Sequence, residues 1–187
     1  VVTGPLYHAA PLSLNLLLPL SAGVHTLLMD KWDAEAMLRL VDQHRITHTH
    51  IVPTMLNRLL HLTPDIRSKY DVSSLRWVLH GAAPCPVHVK QAALEWLGPV
   101  VFEYYGATEG GGVFIEPAEW LNKPGSVGRP TAGVVMQIQN ENGKELPQGD
   151  VGTVYFEAPA TGRFEYFKAP EKTAGVYRGA FYTMGDL

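Results

Sequence analysis

Thr108 and Glu109 stand side by side in EYYGATEGGG, residues 103–112, just after an apolar run and just before three glycines. A hydroxyl and a carboxylate on a short glycine-flanked turn are the groups that meet a phosphate and a hard cation; magnesium takes oxygen ligands. A second unusual stretch, Gly81-Ala82-Ala83-Pro84, ends the apolar run RWVLH. Its small residues would let a flat ring approach the backbone. In open α/β sheets ligands bind outside the carboxyl ends of the strands. If the two runs are neighbouring strands, a ring could lie between the Gly81–Ala83 backbone and the face of Tyr105. Thr108 would then face a phosphate and Glu109 a cation. The same spacing also fits two plain tight turns from strand to helix, and the residues alone leave both readings open.

The elements around these turns alternate between strand and helix patterns. Apolar runs at VHTLLM (24–29), THTHIV (47–52), LRWVLHG (75–81) and VVFEYY (100–105) read as strands. Between them lie helical patterns. In the first, Asp33 is placed to cap the N-terminus and Trp32 to staple onto Met37. The second opens on Pro53, with Leu56, Leu59 and Leu60 on one face. The third carries Val89, Ala93, Trp96 and Leu97. This alternation predicts an α/β fold, a mostly parallel sheet with helices on its faces. After residue 112 the texture changes to a smaller β-rich section. There GVVMQIQNENGKELPQGDVGTVYFEAP reads as a strand pair with turns at Asn142-Gly143 and Gln148-Gly149. The predicted division is 1–112 and 113–187.

Bulk properties narrow the function classes. A net charge of −3 and a pI of about 6.2 leave no electrostatic footprint for nucleic acid. The one cysteine, Cys85, permits no internal disulfide and fits a reducing compartment. The run LSLNLLLPLSAGVHTLLM is interrupted by Asn15, Pro19, Ser21, Gly23 and His25. It therefore reads as a buried core segment and not as a membrane span. No G-x-x-x-x-G-K-[ST], G-x-G-x-x-G or G-x-S-x-G pattern occurs. His44, His48 and His50 lack the companions of a metal motif and read as strand-packing and surface residues.

With these residues in view, the chain resembles the acyl-adenylate-forming (AMP-binding) enzymes: acyl-CoA synthetases, firefly luciferase and peptide-synthetase adenylation domains. YYGATEG resembles the family's Tyr-Gly-x-Thr-Glu signature, PLYHAAP (5–11) its aromatic-His segment and HGAAP (80–84) its adenine loop. GSVGRP, GDVGTVYFEAP and FYTMGDL resemble further segments in the family's order, and together they span nearly the whole chain. The resemblance implies the N-terminal-domain fold of an acyl-CoA synthetase. It also implies ATP, Mg2+ and coenzyme A as ligands. Gly81, Ala82 and Ala83 would line the adenine, Tyr105 would stack on it, and Gly106 would belong to the same nucleotide turn. Thr108 would bond the α-phosphate, Glu109 would ligate magnesium and Asp186 would hold the ribose hydroxyls. His8 would gate or orient the acyl group, or serve merely as a turn histidine. Met184 departs from the family's Thr-Gly-Asp.

In the amino-acid-adenylating enzymes of the family the chain resembles, an Asp near the aromatic segment pairs the substrate ammonium. Residues 1–29 contain no acid, so the resemblance implies that a substrate α-ammonium would be buried unpaired here, which costs free energy. That favours an apolar carboxylate, with fatty acids first and aryl or sterol side-chain acids next; Gly110–Gly112 would leave room for the chain. The expected location is the cytoplasm, free or associated with a membrane. A luciferase-like or peptide-synthetase-like enzyme shares every motif, and a nucleotide-binding fragment without turnover is the other alternative. The family's phosphate loop is expected before residue 1 and its small lysine-bearing domain after Leu187. The chain by itself is therefore expected to be inactive or nearly so.

Overall fold

Residues 1–29 carry no acid, lysine or arginine. In the computed structural model, which describes residues 1–187, much of this stretch lies at the surface instead of in the predicted core. A π-helical segment, Pro11–Leu17, runs into α1 (Leu18–Ser21). Leu17, Leu18 and Leu20 are 53%, 62% and 54% exposed. Only Pro11 of the π segment is buried. The strand expected at 24–29 is also absent. Leu28 forms a single bridge to Val2, which bridges in turn to His50. The run VVT at 1–3 thus takes the place beside the next strand. The Thr3 hydroxyl donates to the His50 carbonyl (2.5 Å) and the Thr49 hydroxyl to the Val1 carbonyl (3.0 Å).

The remaining expectations for the α/β part hold. Helix α2 (Ala34–His44) opens where Asp33 Oδ1 accepts from the Ala36 N–H at 2.8 Å. Trp32 Nε1–H reaches Met37 Sδ at 3.4 Å. Then come β1 (His48–Ile51), α3 (Pro53–Leu60), α4 (Pro64–Ser68), β2 (Trp77–His80), α5 (Val87–Leu97) and β3 (Val101–Ala107). β1, β2 and β3 are parallel, with Ile51 opposite His80 and His80 opposite Glu103. One sheet face, with Val78 and Val101, joins Met37, Leu38, Val41, Leu56, Leu59 and Ala93 in a buried core. On the other face Trp77 stacks on Phe102 with ring centroids 3.9 Å apart.

β4 (Gly110–Ile115), α6 (Pro117–Asn122) and β5 (Arg129–Pro130) follow, and the larger sheet has the order β1-β2-β3-β4-β5. Gly128 has φ 103°, and a Cβ there would run into the Phe114 carbonyl. A second sheet of β6 (Met136–Gln139), β7 (Thr153–Glu157), β8 (Tyr177–Arg178) and β9 (Phe181–Thr183) has the order β6-β7-β9-β8, with antiparallel neighbours. Helix α7 (Pro170–Val176) precedes β8. β6 and β7 are the predicted pair, with Gly143 and Gly149 between them at φ 81° and 104°. The chain divides into two compact units, residues 1–105 with 114–129 and residues 106–113 with 130–187. No helix is long and apolar enough to cross a membrane.

Candidate functional site

In the first unit the end of β2 supplies the small residues. Gly81 is buried, and a Cβ there would lie 2.6 Å from the Tyr104 carbonyl oxygen. Close approach of the neighbouring strand therefore demands glycine at that position. Ala82 has φ 64°, a left-handed conformation that costs a residue with a Cβ about 1 kcal/mol or more. Strain of this kind collects at ligand sites. Ala82 and Ala83 are exposed, so the strained turn lies at the surface. Tyr104 anchors the opposite side, its hydroxyl 3.0 Å from His50 Nε2. Tyr105 is half-buried at the end of β3, on the same side as Glu103 by the two-residue period of a strand. His8 sits on an exposed turn with its ring against Tyr7, centroids 4.7 Å apart.

Directly behind the Gly81–Ala83 turn is a charge cluster that sequence reasoning missed. Lys90 Nζ on α5 donates to Glu103 Oε2 on β3 at 2.7 Å, and His80 Nε2 lies 3.7 Å from the same oxygen. The side chains of Lys90 and His80 are fully buried. The Lys90 ammonium also lies 5.0 Å from the centre of the Trp120 ring. Burial, with Lys90 close by, pushes the His80 ring down to about 3 and holds it neutral. Burial lowers Lys90 as well, and Glu103 opposes that. The Cys85 thiol is pushed up to about 11, chiefly by burial, so it is not a reactive thiolate. The signal was present in the sequence, since Lys90 interrupts the apolar face of α5 and Glu103 an apolar strand.

In the second unit Thr108 and Glu109 form the two-residue turn between β3 and β4. The signature is thus a strand-to-strand turn and not the strand-to-helix turn weighed from sequence. Thr108 is exposed and Glu109 half-buried. Glu109 Oε1 accepts from the Tyr166 hydroxyl at 2.9 Å, a pairing 57 residues apart that no local pattern announces. The glycines that follow make room for the protein's own side chains. A Cβ on Gly110 would lie 2.7 Å from the Tyr182 hydroxyl, and one on Gly111 2.9 Å from the Phe156 ring. Asp186 is exposed, and its carbonyl accepts from the Val154 N–H at 2.9 Å. The Gly185 N–H donates to the Thr183 hydroxyl at 3.0 Å.

The structure therefore brings Gly81–Ala83 beside Tyr104 in one unit and Glu109 to Tyr166 in the other. No cluster of three or more His, Cys, Asp or Glu side chains offers a metal cage. One carboxylate beside one hydroxyl nevertheless suits magnesium, which is commonly held by one or two carboxylates together with substrate phosphates and water.

The model of the AMP-binding enzymes matches residues 1–164. The chain is 33% identical to a feruloyl-CoA synthase of Amycolatopsis sp, over the whole of this chain and 38% of that protein. It is 32% identical to a medium/long-chain-fatty-acid–CoA ligase of Mycobacterium tuberculosis, over 88% of this chain and 29% of that one. Among solved structures, ATP-bound MatB from Rhodopseudomonas palustris superposes with a TM-score of 0.82 at 28% identity, over 98% of this chain and 36% of that chain. The chain spans about a third of the length of these relatives. With two strand-end turns carrying the expected residues and a family match over most of its length, this chain belongs to the AMP-binding enzyme family.

Proposed function

We infer that the protein is an ATP-dependent acyl-CoA synthetase that activates an apolar carboxylate as acyl-AMP and passes the acyl group to coenzyme A. A carboxylate is a poor electrophile. Its oxygen attacks the α-phosphorus of ATP, pyrophosphate leaves, and the mixed anhydride then yields its acyl group to the CoA thiol with loss of AMP. On this reading Gly81, Ala82, Ala83 and Tyr105 bind the adenine, with Gly106 in the same turn. Thr108 bonds the α-phosphate, Asp186 accepts from the ribose hydroxyls and His8 borders the acyl group. Glu109 holds Mg2+, which would supply neutralisation of phosphate charge. The protein's share is positioning and electrostatic stabilisation.

The observation that carries this reading is the register of His80 against Glu103. It puts the strained Ala82 turn beside the strand that carries Tyr105, and these are the two segments the family resemblance assigns to adenine. The fatty-acid preference rests on the acid-free residues 1–29 and on the similar fatty-acid–CoA ligase. The feruloyl-CoA synthase, 33% identical over the whole chain, supports an aryl acid as the second reading. The test is carboxylate-dependent ATP–pyrophosphate exchange by the full-length protein, with fatty, aryl and amino acids and with Glu109→Gln as control. Exchange with a fatty acid, lost in the control, is expected. Exchange with aryl acids alone would select the second reading, and none with any acid would overturn both.

A further inference from the structure

The Tyr166 hydroxyl donates to Glu109 at 2.9 Å, and the ring that carries it is held on several sides. The Tyr166 N–H donates to the Thr173 hydroxyl at 2.9 Å, and that hydroxyl donates to the Ala169 carbonyl at 3.0 Å. The Lys172 ammonium lies 3.9 Å from the ring centre, and the Phe164 ring meets it edge-on at 5.5 Å. Tyr166 therefore reaches Glu109 from a fixed platform. Glu109 itself stands on a two-residue turn, where a long side chain would otherwise sample several rotamers and lose that freedom on binding.

We propose that Tyr166 is a positioning residue that fixes the Glu109 carboxylate in its cation-binding orientation, tightening the hold on a divalent cation carried by nucleotide phosphates. This rests on the reading of Glu109 as the magnesium ligand. A carboxylate has about four acceptor sites, so one hydrogen bond at Oε1 leaves the group able to ligate. The contribution of Tyr166 is rigidity before the ligand arrives.

The test uses the full-length protein, a non-hydrolysable ATP analogue and Mn2+ as probe. The readout is the factor by which Mn2+ tightens analogue binding in titration calorimetry. Tyr166→Phe keeps the ring and removes only the hydroxyl. It is expected to reduce that factor 3- to 10-fold, with metal-free analogue affinity and melting temperature unchanged. Glu109→Gln is expected to abolish most of the factor, and adding Tyr166→Phe to it should change nothing further. An unchanged or larger factor in Tyr166→Phe overturns the proposal. So does an equal loss of metal-free affinity, which would mark a structural role. If Glu109→Gln leaves the factor intact, the magnesium reading of Glu109 fails first and the proposal with it.

Discussion

Replacing Lys90 with Met should destabilise the protein in a way that depends on pH with a calculable slope. The variant removes the only charge drawn against Glu103 at hydrogen-bond distance, 2.7 Å, and leaves a carboxylate that is 8% exposed facing a neutral His80. Breaking one partner of a buried ion pair costs about 3–5 kcal/mol. Glu103 can escape by taking a proton. Relative to an unfolded carboxyl near 4.3 this costs about 1.4 kcal/mol per pH unit, hence ~2.3 kcal/mol at pH 6 and ~3.7 kcal/mol at pH 7. The variant's folded state then binds the extra proton, so its deficit shrinks as pH falls and grows as pH rises, up to the plateau.

Glu103→Gln should show the opposite sign. Its stranded Lys90 must lose a proton at about 4.6 kcal/mol at pH 7 and only ~1.9 kcal/mol at pH 9. Lys90→Met with Glu103→Leu removes both charges and should return to within about 2 kcal/mol of wild type or above it. Urea unfolding of the four proteins between pH 6 and 9, followed by tryptophan fluorescence, gives every value. A cost below about 1 kcal/mol for Lys90→Met at pH 7, or the same pH slope in both single variants, would refute the reasoning.

Other consequences can be checked in the same apparatus. His50 and His80 are held down to about 4 and about 3, mainly by burial, so below pH 6.5 the unfolded chain binds protons that the folded chain refuses. Stability should therefore fall from pH 6.5 toward pH 4, by up to ~2 kcal/mol per histidine on reaching pH 5, and His50→Gln should flatten the curve. Gly111→Ala combines φ 76° with a Cβ 2.9 Å from Phe156 and should lower stability by roughly 1–3 kcal/mol, read as a lower urea midpoint. Asp33→Ala removes the 2.8 Å cap of α2 and should cost about 1 kcal/mol; an unchanged midpoint would show that the cap is not needed.

Local chemistry made the helices and most strands legible. Asp33 and Pro53 announce helix starts through the backbone N–H groups they satisfy or lack, and the apolar runs ending at His80 and at Tyr105 read directly as β2 and β3. The same reading failed at residues 1–29. Hydropathy registers that leucines are apolar but not whether a partner surface exists, so VHTLLM yields one bridge and Leu18 stays 62% exposed.

By itself the sequence determined the family and the two turns that carry its signature, because residue type and order along a turn are local properties. Only the tertiary structure decided what those residues touch. Register sets Gly81 against the Tyr104 carbonyl, and strand and helix packing closes Lys90 on Glu103. Tyr166 meets Glu109 from 57 residues away. These are contacts between segments distant in sequence. Burial and geometry fix their energies, and neither is a property of any short stretch of chain.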